Sequence, residues 1–153
     1  MRPVTVALSL ALLAACAKEK PAVQAAPPTP PPPAAPAPIN LADVAGNWTV
    51  TVMPAAADSV VLTYTLHATS ADTGWTVTFA GRKPMAIQVT TMGDSIMTTM
   101  AAYKSVLRKG TKVSTEGVMH LVDGKLTGTT TAHYVTTKAD SVVQLRTQGS
   151  KTP

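Results

Sequence analysis

KVSTEGVMHLVDGKLTGTTTA, residues 112–132, reads as two strands folded back on one another. On each side of Asp123-Gly124 apolar or small residues alternate with polar ones at period two, the repeat of a half-buried strand. Asp-Gly tolerates the positive φ angles of a two-residue hairpin turn, and so short a loop leaves no freedom in register. Leu121 then faces Leu126, Met119 faces Gly128 and Gly117 faces Thr130. The small and apolar side chains of both strands fall on one side of the sheet.

Gly93-Asp94 supports the same construction one hairpin earlier, with Ile87 facing Met100 and Val89 facing Thr98. Working outward, alternating runs broken by Gly, Asp and Pro predict strands at 46–53, 59–68, 74–80, 85–92, 95–103, 112–122, 125–135 and 141–148. Their apolar sides carry Trp48, Val50 and Val52; Val60, Leu62, Tyr64 and Leu66; Trp75, Val77 and Phe79; and Met85, Ile87 and Val89. No helical period intervenes and the connections are short. The expected fold is therefore all-β, an antiparallel up-and-down barrel of about eight strands that removes its own edges by closing. An open sandwich with Greek-key crossings is the alternative, and it needs longer connections.

Leu41 to Val52, LADVAGNWTVTV, resembles the opening of lipocalins and their avidin-like and fatty-acid-binding relatives. In those proteins a short coil and a Gly-x-Trp at the first strand close one end of the barrel. The matching residues are Gly46 and Trp48. The resemblance implies a lipocalin-like barrel and a basic residue from the last strand covering the tryptophan, for which Arg146 is the candidate. Strict alternation sets Arg146 on the face opposite Val143 and Leu145, so that role requires a bulge or a strand end. The second lipocalin motif has no counterpart in this sequence.

The N-terminus has a different texture. Met1, Arg2 and Pro3 precede Val4–Ala15, apolar or small except for Thr5 and Ser9, of the length of a secretory h-region and shorter than the roughly 20 residues that span a bilayer. Leu13-Ala14-Ala15-Cys16 resembles the lipobox of bacterial lipoproteins, which implies cleavage before Cys16 and acylation of its thiol. Two or more acyl chains give stable anchoring where one gives marginal binding. Residues 1–15 are then a lipoprotein signal peptide, and residues 16–39 the lipidated cysteine and a Pro/Ala-rich linker. Its prolines fix φ and lack donors, so it is expected to be disordered and extended, up to roughly 70 Å at about 3.1 Å per residue. Residues 40–153 form the barrel domain. Ala17 after the cysteine resembles lipoproteins sorted to an outer membrane, so the expected address is the cell envelope, tethered to that membrane and facing the periplasm.

One cysteine in 153 residues excludes an internal disulfide framework and an all-cysteine metal site. The formal charge of +5, or +4 without Arg2, comes from dispersed Lys and Arg with no interleaved aromatics, so no nucleic-acid partner is expected. In an up-and-down barrel alternate loops gather at one end. Arg82, Lys83, Lys104, Arg108, Lys109 and Lys138 share that end with Asp58 and Asp140, while Asp43, Asp72, Asp94 and Asp123 lie at the other. The basic rim suits a ligand with an acidic head. Small inward residues, among them Thr98, Thr115, Gly117, Thr130 and Ala132, leave interior volume. The candidate ligand-binding residues are Arg82, Lys83 and Arg108 at the rim and Tyr64, Phe79 and Met100 inside. Tyr103, Val106 and Leu107, in a long basic connection, are candidates for a lid or a contact surface.

Two readings follow from the sequence. In one, the barrel binds a small hydrophobic or amphipathic molecule. In the other, a filled barrel is a structural or interaction module touching another envelope protein. No cofactor or metal is expected: Met97 and Met100 lie on opposite strand faces, and the predicted register separates His120 from His133. Paired carboxylates, a nucleophile elbow and a phosphate-cradling loop are absent, so the chain is not expected to be an enzyme.

Overall fold

The computed structural model describes residues 37–137 and 139–153, all within one compact unit, Ala34–Pro153. The signal peptide, the Cys16 lipidation site, the linker as far as residue 36, and Lys138 lie outside the described residues.

The chain enters through a single helical turn, α1 (Leu41–Val44), whose cap Asn40 accepts a hydrogen bond from the Ala42 amide. Nine strands follow: β1 (Gly46–Pro54), β2 (Leu62–Ala68), β3 (Thr76–Phe79), β4 (Met85–Ala86), β5 (Gln88–Met92), β6 (Ser95–Lys104), β7 (Lys112–Val122), β8 (Lys125–Tyr134) and β9 (Val142–Lys151). All pairings are antiparallel, in the order β4-β3-β2-β1-β9-β8-β7-β6-β5. The two ends of this list, β4 and β5, are consecutive in the chain and separated only by Ile87, whose amide still donates to Trp75 O at 3.1 Å. One interrupted run, residues 85–92, thus pairs with β3 on one side and β6 on the other. The sheet is a nearly closed up-and-down barrel, as the alternation and short connections require.

The hairpin registers are those set by the turns. Leu121 pairs with Leu126, Met119 with Gly128, Gly117 with Thr130, and Val89 with Thr98. Asp123 and Gly124 both take positive φ (50° and 73°), which only a type I′ geometry uses in a two-residue loop, and Gly93 (φ 58°) supplies the single positive angle of the other turn.

Besides the break at Ile87 and the extension of β9 past 148 to Lys151, two features depart from the expected strands. β2 begins at Leu62 and not at 59: Val60 is exposed, and the preceding loop bends outward to Arg146, whose guanidinium donates to Ala57 O at 2.8 Å and pairs with Asp58 at 2.7 Å. In β6 the register slips between Met100 and Tyr103, so three steps on β6 match two on β7. That extra residue is a bulge, and it turns Tyr103 to the inside where strict alternation from Met100 sends it out.

The end where the chain enters is closed. Trp48 and Trp75 are wholly buried there, and each uses its indole N–H in the same way: Trp48 donates to Val44 O and Trp75 to Ala71 O, both at 2.7 Å. Burying each ring draws the segment four residues upstream against the barrel with its polar handle satisfied. Ile39 N donates to Gly93 O at 2.8 Å, pinning the entering chain across the same end. The largest buried cluster, including Val44, Trp48, Leu66, Trp75, Ile96 and Leu126, fills this half. At roughly 1.5–3 kcal/mol for each fully buried large aliphatic side chain, it is the main source of stability. A smaller cluster, Val52, Val113, Ala132, Tyr134 and Leu145, lies toward the other end.

Candidate functional site

Leu62, Tyr64 and Tyr103 pack against both clusters. Around them the barrel is not solid. A cavity of about 70 Å³ is bordered by β-strand side chains from around the barrel and by Ser105, Val106 and Leu107 of the β6–β7 loop. A water needs roughly 10–15 Å³ of such space, whereas sites for drug-sized ligands run to roughly 300–1,000 Å³. The space fits a small molecule of about one ring or a short chain.

Its walls differ in chemistry. On one side β2 and β3 present Tyr64 and Phe79, with ring centroids 5.6 Å apart and planes at 70°; Phe79 also stacks on Tyr103 at 5.6 Å and 23°. On the other side β6, β8 and β9 present Thr98, Thr130 and Thr147. Gly117 lies between Thr98 and Thr130 in register, and both hydroxyls reach into the room its missing side chain leaves: a Cβ there falls 2.6 Å from Thr98 Oγ1 and 3.3 Å from Thr130 Oγ1. Thr147 sits beside Gly128 and Val52. Thr147 is 3% exposed and its Oγ1 is buried with no hydrogen-bond partner.

No side chain bordering the cavity is charged at neutral pH. Burial disfavours charge on the phenols of the site. Burial, and then the nearby Tyr103, hold the Tyr64 hydroxyl far above the ordinary tyrosine range. Tyr103 is pushed up to about 12, by burial first and Tyr134 second, with Arg82 pulling the other way.

The loop over the mouth, residues 105–111, is held by the basic side chains expected to meet a ligand. Arg82 donates to the carbonyls of Lys104 and Ser105, the latter at 3.2 Å. Arg108 pairs with Asp140 at 2.8 Å, donates to its carbonyl at 3.1 Å, and lies 4.0 Å over the Tyr134 ring. Within the loop Ser105 Oγ accepts from Arg108 N at 2.9 Å, and Ser105 N donates to Thr111 O at 2.8 Å. Both guanidiniums therefore act as latches. Lys83 is exposed and does not border the cavity.

The remaining candidates fall as follows. Tyr64, Phe79 and Met100 all line the cavity. Gly46, at φ 132°, opens β1, and Trp48 is buried at the closed end. The cation over Trp48 is Lys151, with Nζ 5.6 Å from the ring centroid. Arg146, assigned that place by the resemblance, is on the outer face opposite Met53, holding the 55–58 loop, because no bulge reverses the alternation of β9. Tyr103, Thr130 and Thr147 belong to the site as well. The inward alternation placed Thr130, while nothing local to residues 101–103 announces the bulge that brings in Tyr103.

Two of the three histidines have partners on the outer face: His67 Nδ1 is 2.9 Å from Asn47 Oδ1, and His120 Nδ1 is 3.6 Å from Asp94. Among the described residues no three His, Cys, Asp or Glu gather as metal ligands.

These features define a class: an antiparallel barrel closed at one end by two tryptophans, enclosing a neutral cavity beneath a latched loop. No family model, curated protein or solved structure that was compared matches the chain. The functional reading therefore rests on the site.

Proposed function

We propose that this chain is an exported lipoprotein of the cell envelope, tethered through Cys16, whose barrel binds a small apolar or amphipathic molecule. The observation that carries the binding reading is the interior cavity, apolar and aromatic on one side and hydroxyl-bearing on the other. A barrel built only for stability gains by filling such space, since each cavity forfeits packing energy. Support for the address comes from the lipobox-like Leu13-Ala14-Ala15-Cys16 and from the sole cysteine standing at that place. The role is that of a binder, not a catalyst. Titrating the purified chain by calorimetry with small uncharged aromatic and short-chain molecules, at low and high salt, tests the binding. Saturable uptake that survives high salt supports an interior apolar site, and no saturable binding at either salt overturns it.

Exposed apolar side chains at the mouth favour a second reading. Val60, Val135 and Val142 are 55%, 69% and 54% exposed, on loops or strand ends that share the latched end. A face of this kind suits contact with an envelope partner. Photo-crosslinking from position 135 in intact cells checks it: one dominant adduct favours the partner, and diffuse labelling counts against it.

A further inference from the structure

The buried hydroxyl of Thr147 is the one cavity feature that folding by itself disfavours. A buried hydroxyl without a partner costs about 1–3 kcal/mol relative to an apolar side chain of the same shape. Valine has that shape and is a better strand former. Two further hydroxyls stand nearby: those of the half-buried Thr98 and Thr130 converge over Gly117, one register row nearer the mouth than Thr147. Across the barrel stand the rings of Tyr64 and Phe79. The same enclosure holds no cation to receive an acid, because Arg82 and Arg108 are engaged outside it with the loop. A carboxylate brought in would lose its hydration with no opposite charge to replace it.

Building on the binding reading, we infer that the ligand is an uncharged molecule of about one ring with a hydroxyl or carbonyl oxygen. That oxygen hydrogen-bonds Thr147, and the apolar body rests against Tyr64 and Phe79. The rim arginines take no part in recognising an acidic head; they decide whether the loop stays shut. Selectivity then comes from two terms. Apolar burial admits any small hydrocarbon, and the Thr147 hydroxyl adds a preference for molecules that can pair with it.

Three probes that share one ring separate these terms: toluene, benzyl alcohol and benzoate, each titrated calorimetrically into the purified chain and into Thr147→Val and Thr147→Ser. The expected order is benzyl alcohol tighter than toluene, with benzoate weaker than the alcohol by at least about a hundredfold. Thr147→Val should lower benzyl alcohol affinity by about five- to tenfold and leave toluene within about twofold, while Thr147→Ser keeps the preference for the alcohol. A second readout distinguishes a ligand contact from a structural one: Thr147→Val should raise the denaturant midpoint of the free protein while it weakens alcohol binding. Benzoate binding as tightly as benzyl alcohol, or an alcohol-to-toluene ratio unchanged by Thr147→Val, overturns the inference and leaves the cavity as a binding site. Failure of all three probes to bind overturns the binding reading together with the inference.

Discussion

Lys151, the last residue of β9, holds its ammonium 5.6 Å from the ring centroid of Trp48 near the start of β1, and its Cε occupies the space a side chain at Gly46 would need. The first and last strands of the barrel thus meet around one indole. These two strands are joined by backbone pairing and clasped by a cation over an aromatic face.

The two partners should contribute unequally. Lys151→Met removes an exposed cation–π contact and should cost about 0.5–1 kcal/mol. Trp48→Ala removes a fully buried ring together with the hydrogen bond to Val44, and should cost about 3–5 kcal/mol. Gly46→Ala adds a Cβ at φ 132° against the lysine stem and should be worse than Lys151→Met. Urea unfolding monitored by tryptophan fluorescence ranks the three.

The latch over the mouth should be separable from global stability. Arg82→Ala and Arg108→Ala remove partly exposed contacts, each worth no more than about 1 kcal/mol to the whole fold. Yet the 105–111 loop depends on them. Hydrogen exchange at the Ser105 and Thr111 amides should quicken by about tenfold or more in the double variant, and probe association should be faster. Unchanged exchange would show that the loop is held by its internal hydrogen bonds instead.

Alkaline pH should loosen the site. Tyr103 titrates at about 12 in the folded chain, against 10.0 for an unperturbed tyrosine, and Tyr64 is shifted further in the same direction. Because the folded values are raised, their contribution to stability is complete below pH 10.0 and is lost as the pH climbs through the folded pKa. Unfolding midpoints should be flat on this account up to about pH 10 and fall toward pH 12. Tyrosinate absorbance should show late-titrating phenols, and Tyr103→Phe should remove part of the decline.

Two strand glycines should behave differently. A Cβ on Gly128 collides with the Val118 carbonyl oxygen and stands 2.9 Å from Met119 Cα, both backbone that pairing holds in place. Gly128→Ala should therefore destabilise by about 3 kcal/mol. At Gly117 the nearest atoms are the Thr98 and Thr130 hydroxyls, which can rotate away. Gly117→Ala should cost about 1 kcal/mol and reduce benzyl alcohol binding by narrowing the cavity. Thermal unfolding of both variants, with binding measured on the second, decides this.

Much of the wall of the cavity was legible before any coordinates. Tyr64, Phe79 and Met100 follow from alternation, and Thr98 and Thr130 from two-residue turns that leave no choice of register. Tyr103 escaped because Ala101 and Ala102 carry no sign of the bulge between Met100 and Tyr103. The partners of the rim arginines were hidden for another reason. The sequence offers Arg82 and Arg108 as a basic rim for an acidic head, and the three backbone carbonyls and one carboxylate that they meet come from segments remote in sequence.

Alternation and turn chemistry are properties of near neighbours, so the order of residues alone determined most of the strands, their inward faces up to the bulge after Met100, and the hairpin registers. Sheet closure through β4 and β5, the choice of Lys151 over Arg146 at Trp48, and the unpartnered hydroxyl of Thr147 depend on distances between residues far apart in the chain. Those distances exist only once the barrel has wrapped, which is why tertiary structure alone decided them.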